Sequence, residues 1–166
     1  MQFWYDIYKE MAEKITAEMP NIEWVDLWHN QVGFLAEEHP FPAPAVFIEF
    51  RGQDDTDLGE AGQQVNLQVE FYLFYESLLD TNRGSYNDDD AVAFLEDLTR
   101  LNQLFHASVG NSWDGMRRLG FNRVDTGSAQ NLYQVSFTCT TRDLSAIKQF
   151  DEATPNEVDV ERDYHL

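Results

Sequence analysis

Val65-Asn66-Leu67-Gln68-Val69-Glu70-Phe71-Tyr72-Leu73-Phe74-Tyr75 is the most regular run in the chain. Its first, third and fifth residues, and so on to Tyr75, are all apolar, which is the period of a strand. The intervening residues are polar at Asn66, Gln68 and Glu70 and aromatic at Tyr72 and Phe74. The run therefore predicts a strand covered on one side at its start and on both sides at its end. It is long enough to project past its neighbours.

Toward the N-terminus, Ala45-Val46-Phe47-Ile48-Glu49-Phe50 reads as an apolar strand. Between the two, Arg51 to Gln64 is polar and holds Asp54, Asp55, Asp57, Glu60 and glycines, so it reads as a loop. Ile22 to Trp28 suits a short strand. His29 to Pro44, with Gly33, Pro40, Pro42 and Pro44, argues against regular structure. Residues 2–19 form a helical pattern, with Phe3, Trp4, Ile7, Tyr8, Met11, Ile15 and Met19 along one stripe and Pro20 as its stop.

Toward the C-terminus, Glu76 to Asn87 reads as loop. Asp88, Asp89 and Asp90 suit a helix start, because carboxylates oppose the helix dipole there. A helix is expected from Asp90 to Val109, burying Val92, Leu95, Leu98, Leu101, Leu104 and Phe105 with Phe94 alongside, and ending at Gly110. Met116 to Asp125 and Leu132 to Thr141 follow as a hairpin. In the second of these Tyr133, Val135, Phe137 and Cys139 share a face, opposite Gln134, Ser136, Thr138 and Thr140. From Leu144 the apolar period is lost and acids dominate, including Asp151, Glu152, Glu157, Asp159, Glu161 and Asp163, so this part reads as a mostly extended tail. The expected fold class is α+β: one twisted, mainly antiparallel sheet of about five strands with two helices on one face, in the order α-β-β-β-α-β-β. Residues 1–143 would form the domain and 144–166 an acidic tail.

The 166 residues suit one domain, and 43% hydrophobic content supplies a core without staples. A net charge of −19 repels nucleic-acid phosphate and anionic lipid, and favours a basic protein surface as partner. The start of the chain shows no basic-then-apolar leader, and no apolar run approaches the ~20 residues that cross a bilayer. Cys139 is a lone cysteine in an alternating apolar run, so it reads as a buried thiol.

No chemistry-bearing motif stands out. Gly59-Glu60-Ala61-Gly62 lacks the lysine and the strand-to-helix setting of a phosphate loop. His29 and His39 bracket Glu37 and Glu38 in one loop, while His106 and His165 lie far apart; none has zinc-helix spacing. Asp54, Asp55 and Asp57 lack the calcium-loop pattern. Asp26 and Glu49 interrupt apolar strands and read as satisfied sheet-face carboxylates. The expectation is a protein that is not an enzyme and has no metal or cofactor.

One stretch departs from the acidic background. Arg117, Arg118 and Arg123 fall together, with no acid between Asp114 and Asp125. Such a patch could pair within the chain, or meet the Asp54–Glu60 loop of another copy head to tail.

The order of elements, with Glu23-Trp24-Val25-Asp26-Leu27, Pro44-Ala45-Val46-Phe47-Ile48-Glu49-Phe50, the loop ending Gly62-Gln63-Gln64 and the closing Thr141-Arg142-Asp143, resembles the tail terminator (tail completion) proteins of long-tailed bacteriophages and prophages. The resemblance covers roughly Gln2 to Asp143. It implies a self-assembling ring, usually hexameric, capping the tail tube and joining it to the head. Its lumen would be acidic so that DNA slides through, and a long mobile loop would lie between the second and third strands, here Arg51 to Gln64. It further implies tube and head–tail connector proteins as partners, no sequence-specific nucleic-acid or membrane binding, and residence in the host cytoplasm before the virion tail. The candidate contact residues are Asp54, Asp55, Asp57, Glu60, Arg117, Arg118 and Arg123. The alternative is an acidic binding module of immunity type that neutralises a basic protein, using loop acids with Trp28, Phe34 and Phe41.

Overall fold

The computed structural model describes residues 3–34, 40–76, 81–127 and 130–148. Phe3–Glu18 is helix α1, Trp24–Leu27 strand β1, Ala45–Gly59 β2, Gly62–Tyr75 β3, Asp88–Phe105 helix α2, Asp114–Val124 β4 and Asn131–Asp143 β5. A 3-10 turn, Gln31–Phe34, follows β1. The strands form one sheet ordered β1-β2-β3-β5-β4. Only the β1–β2 pair is parallel. The α+β architecture is the one expected.

The alternation in β3 explains its central place. Leu67, Val69, Phe71 and Leu73 are fully buried on the face under both helices. They meet Val46 and Ile48 of β2, Val135 and Phe137 of β5, and Ile7, Met11 and Ile15 of α1. On the other face Phe47, Tyr72, Phe74 and Leu132 build a smaller cluster, roofed by Val32, Trp28, Phe41 and Ala43. One end of the sheet is thus covered on both sides, as the late aromatics of β3 required.

Four expectations are corrected. Arg51 to Gln64 is no loop: β2 continues to Gly59 and pairs with β3 from Gly62 onward. Residues 51–60 are all exposed, so this half of the strand is held by ladder hydrogen bonds and carries no apolar signature. Nor does β3 project past its neighbours, since β2 and β5 flank it nearly end to end.

The remaining two corrections concern α2. It buries Phe94, Asp97, Leu101, Leu104 and Phe105, while Val92 and Leu95 are 49% and 58% exposed. Phe94 packs on the rings of Tyr75 and Tyr133, and the Tyr75 hydroxyl donates to Asp97 Oδ2 at 2.5 Å. Aromatic contact with a satisfied acid outcompetes burial of the aliphatic stripe. The helix also stops at Phe105, before Gly110. Ala107 turns left-handed (φ 59) and its N–H bonds Met116 O at 2.8 Å, which commits the chain to β4. Gly110 serves packing instead: a Cβ there would lie 2.6 Å from Glu10 Oε1 and 2.7 Å from the Trp113 ring.

Smaller shifts complete the comparison. β1 is trimmed to Trp24–Leu27, and β5 runs on to Asp143. Leu144 and Ile147 approach Gly62 at the hairpin turn. His39, His165, Glu37, Glu38 and the tail beyond Lys148 lie outside the described residues.

Candidate functional site

β1 pairs only with Ala45–Ile48 of β2. Beyond that point the outer side of β2 has no partner strand among the described residues. Asp54, Asp55 and Asp57 sit on this free half, and Glu60 in its turn. The turn residues Glu60 (φ 52) and Ala61 (φ 65) are both left-handed, the geometry of a two-residue hairpin loop that matches strand twist. Asp57 Oδ1 accepts from Gly59 N–H at 2.8 Å and fixes the approach to the turn.

The opposite edge of the sheet is β4, which pairs only with β5. Arg117, Arg118 and Arg123 are exposed along it. Among the described residues none of the three makes an ion pair. The Arg118 guanidinium lies 6.0 Å from the Phe121 ring centre, and Arg118 N–H donates to His106 Nδ1 at 3.1 Å. Phe121 and Leu119 are about half exposed. Three strand spacings, about 14 Å, separate β2 from β4. The seven charged residues singled out from the sequence are therefore not brought together within one chain. They form an acidic edge and a basic edge on opposite sides of one sheet.

A third feature escaped the sequence. On the face away from the helices, Glu49, Arg51, Gln68, Glu70, Tyr72 and Gln134 form one hydrogen-bonded network across β2, β3 and β5. Arg51 Nε and Nη2 donate to the two oxygens of Glu49 at 3.1 and 3.0 Å, and Nη2 lies 3.5 Å from Glu70. The Tyr72 hydroxyl is 2.7 Å from Glu49 Oε2 and 3.0 Å from Glu70 Oε2. Gln68 donates to Glu70 Oε1 at 2.6 Å, and Gln134 donates to Glu70 Oε2. Glu70 is only 1% exposed, so these donors replace its hydration. Burial raises the Glu49 carboxyl, but hydrogen bonds from Arg51 and Tyr72 outweigh it and hold the group below its ordinary value. Burial, then the two carboxylates, push the Tyr72 hydroxyl well up, so it stays protonated as a donor. The only sequence trace of this network is polar residues two apart in each strand, and that trace needs the register to become a site.

The two acids of the network are engaged by fixed donors. A cleft of about 470 Å3 lies between the start of α1 and the 110–114 loop, with Asp6, Gln64, Asp114 and Arg142 among its polar lining. Glu10 stiffens that loop by accepting from Asn111 and Ser112 N–H at 2.6 and 3.0 Å. Burial pushes the Cys139 thiol up to about 12, which makes it a poor nucleophile. Among the described residues no three His, Cys, Asp or Glu side chains converge as a metal site. Two aromatics assigned to the immunity-type surface are engaged in the smaller core: Trp28 stacks on Tyr72 at 4.1 Å and Phe41 meets Phe47 and Phe74 edge-on.

No protein-family model and no curated protein matches this sequence.

Proposed function

We propose that the protein is a structural assembly subunit, acting as the bacteriophage tail terminator proteins do: copies join head to tail in a ring at the end of a tail tube. The observation that supports this reading is the opposition of charge across one sheet. The free half of β2 carries Asp54, Asp55 and Asp57 with Glu60 at its tip, and the free edge of β4 carries three arginines with no ion pair among the described residues. Two unlike edges on one chain make a heterologous contact, which closes into a ring or continues as a filament. Both edges carry bulges, between Gly52 and Asp54 on β2 and between Arg118 and Gly120 on β4. Bulges and charges deter indiscriminate strand pairing, which leaves charge matching to choose the partner. The tube and connector proteins would be the other partners, and the acidic balance suits a passage through which DNA must slide.

Light scattering coupled to chromatography tests the reading. Wild-type protein is expected to give a multiple of the chain mass that rises with concentration and falls with salt. Arg117→Glu with Arg118→Glu, and separately Asp54→Lys with Asp55→Lys, should each be monomeric, and mixing the two variants should restore association. A wild-type mass of one chain at every concentration, with or without a tube protein, overturns it.

A further inference from the structure

The main chain shows which parts of the two outer strands are open. In an antiparallel ladder, opposed residues alternate between bonded and non-bonded pairs, and each residue turns its N–H and C=O to one side. Trp28 N–H donates to Ile48 O at 2.9 Å, so Ile48 turns its groups toward β1 and away from β3. Ile48, Phe71, Val135 and Phe121 form one row across the sheet; Val46, Leu73, Tyr133 and Arg123 form another, two residues along. Alternation across these rows turns the main-chain groups of Phe121 and Arg123 outward from β4. On β2 the same count turns Phe50 and Gly52 outward, and the pairs Gly52–Leu67 and Asp55–Val65 carry it past the bulge to Asp55 and Asp57.

Neither edge is open throughout. Ala107 N–H donates to Met116 O at 2.8 Å, Met116 N–H to Ser108 O at 3.0 Å, and Arg118 N–H to His106 Nδ1 at 3.1 Å, so the 106–108 segment caps the first half of β4. On β2, β1 covers the edge as far as Ile48. Among the described residues this leaves Leu119–Val124 on one side of the sheet and Phe50–Gly59 on the other.

We propose that the acidic hairpin of one copy adds its outer strand, Asp54–Gly59, antiparallel to Leu119–Val124 of the next. This rests on the head-to-tail reading above and gives that contact a main-chain ladder and a register. The two stretches are equal in length. Arg123 falls opposite Asp55 and Phe121 opposite Asp57, so outward groups meet outward groups. A register that moved Arg123 down to Gly52 or Phe50 would drive the 106–108 cap into the hairpin strand. In the register proposed, Glu60 comes beside Arg118, and Leu58 falls opposite Gly120 between Leu119 and Phe121. Leu58, Leu119 and Phe121 are each about half exposed in the single chain, and the open space at Gly120 leaves room for Leu58. Opposed residues share a face. Phe121 and Arg123, opposite Val135 and Tyr133, lie on the helix side, and so does Asp55, opposite Val65 in the row of Leu67. The helices of both copies therefore stay on one side of a continuous sheet. β2 and β4 already run antiparallel within one chain, so successive copies keep one orientation, as a head-to-tail repeat requires. Main-chain bonds supply attachment, and the charged and apolar side chains fix the register.

Disulfide trapping tests the ladder. Chains carrying Thr56→Cys are mixed with chains carrying Asn122→Cys, at a concentration where light scattering shows association, and then oxidised. The two positions are opposed in a non-bonded pair, about 4.5 Å apart at Cα and within disulfide reach. Intact mass should show about tenfold more mixed dimer than Gly52→Cys with Asn122→Cys, whose sites stand roughly 13 Å out of step. Amide exchange of the wild type needs no variant. The N–H groups of Asp55, Asp57, Phe121 and Arg123 should exchange about tenfold slower in associated protein than in dilute single chains. Association with equal trapping of the two cysteine pairs, or with unchanged exchange at these amides, overturns the ladder and leaves the head-to-tail contact standing. A wild-type mass of one chain at every concentration, with or without a tube protein, overturns both.

Discussion

Glu49 and Glu70, directly opposite each other on β2 and β3, show how residues on neighbouring strands acquire a joint role. Glu70 is buried and must be satisfied where it stands, and Gln68, Tyr72 and Gln134 are its donors. Glu49 keeps 26% of its side chain exposed, and shares Arg51 and Tyr72 with it. The expectation of a satisfied sheet-face carboxylate at Glu49 is met, and the partners explain its lowered pKa. The sign follows: a carboxyl depressed in the folded state adds stability above its ordinary value of 4.5, and that stability is lost as pH falls through the depressed value. Thermal melts of wild type and Glu49→Gln should therefore differ at neutral pH and converge well below pH 4.5. For a partly exposed pair the difference should be roughly 1 kcal/mol or less. A gap that persists unchanged to pH 3 would mean that packing, not charge, is what Glu49 contributes.

Among the elements, those with a buried face were legible and those without one were not. The repeats of β3, β5 and α1 exposed their core sides because one face of each meets the main cluster. The outer half of β2 is wet on both faces, so its residues follow no apolar period and read as loop; only its pairing with Gln63–Gln68 defines it. In α2 the apolar period was visible but its phase was not, since Asp97 takes a core position by virtue of Tyr75, a residue from another element. The candidate charges were readable as residues, but their division between opposite edges needed strand order. The hairpin turn carries its own test. Ala61 is left-handed at φ 65, and L-residues lose roughly 1–2 kcal/mol in that region. Ala61→Gly should therefore stabilise the hairpin by about 1 kcal/mol, less the added freedom of the unfolded chain. The gain should appear as slower amide exchange over Gln53–Gln68 with little change in the melting of the core.

For the molecule as a whole, the acids of the hairpin are the place where stability and assembly make opposite demands. The chain carries −19, and like charges gathered on one solvated hairpin repel one another. Nothing in the core depends on them: residues 51–60 are exposed, and both buried clusters lie elsewhere. Replacing Asp54, Asp55 and Asp57 by Asn and Glu60 by Gln removes four negative charges, taking −19 to −15. If the acids were there only for folding, the variant should melt earlier and still associate. If they form one half of a contact between copies, its melting temperature should hold or rise by a degree or two while self-association is lost. Asp57 is the one position with a local duty, through Gly59 N–H, and Asn keeps an acceptor there. A calorimetric melt and a light-scattering mass on the same sample therefore separate the two roles: a stable monomer assigns the acids to assembly, and a destabilised oligomer assigns them to the fold.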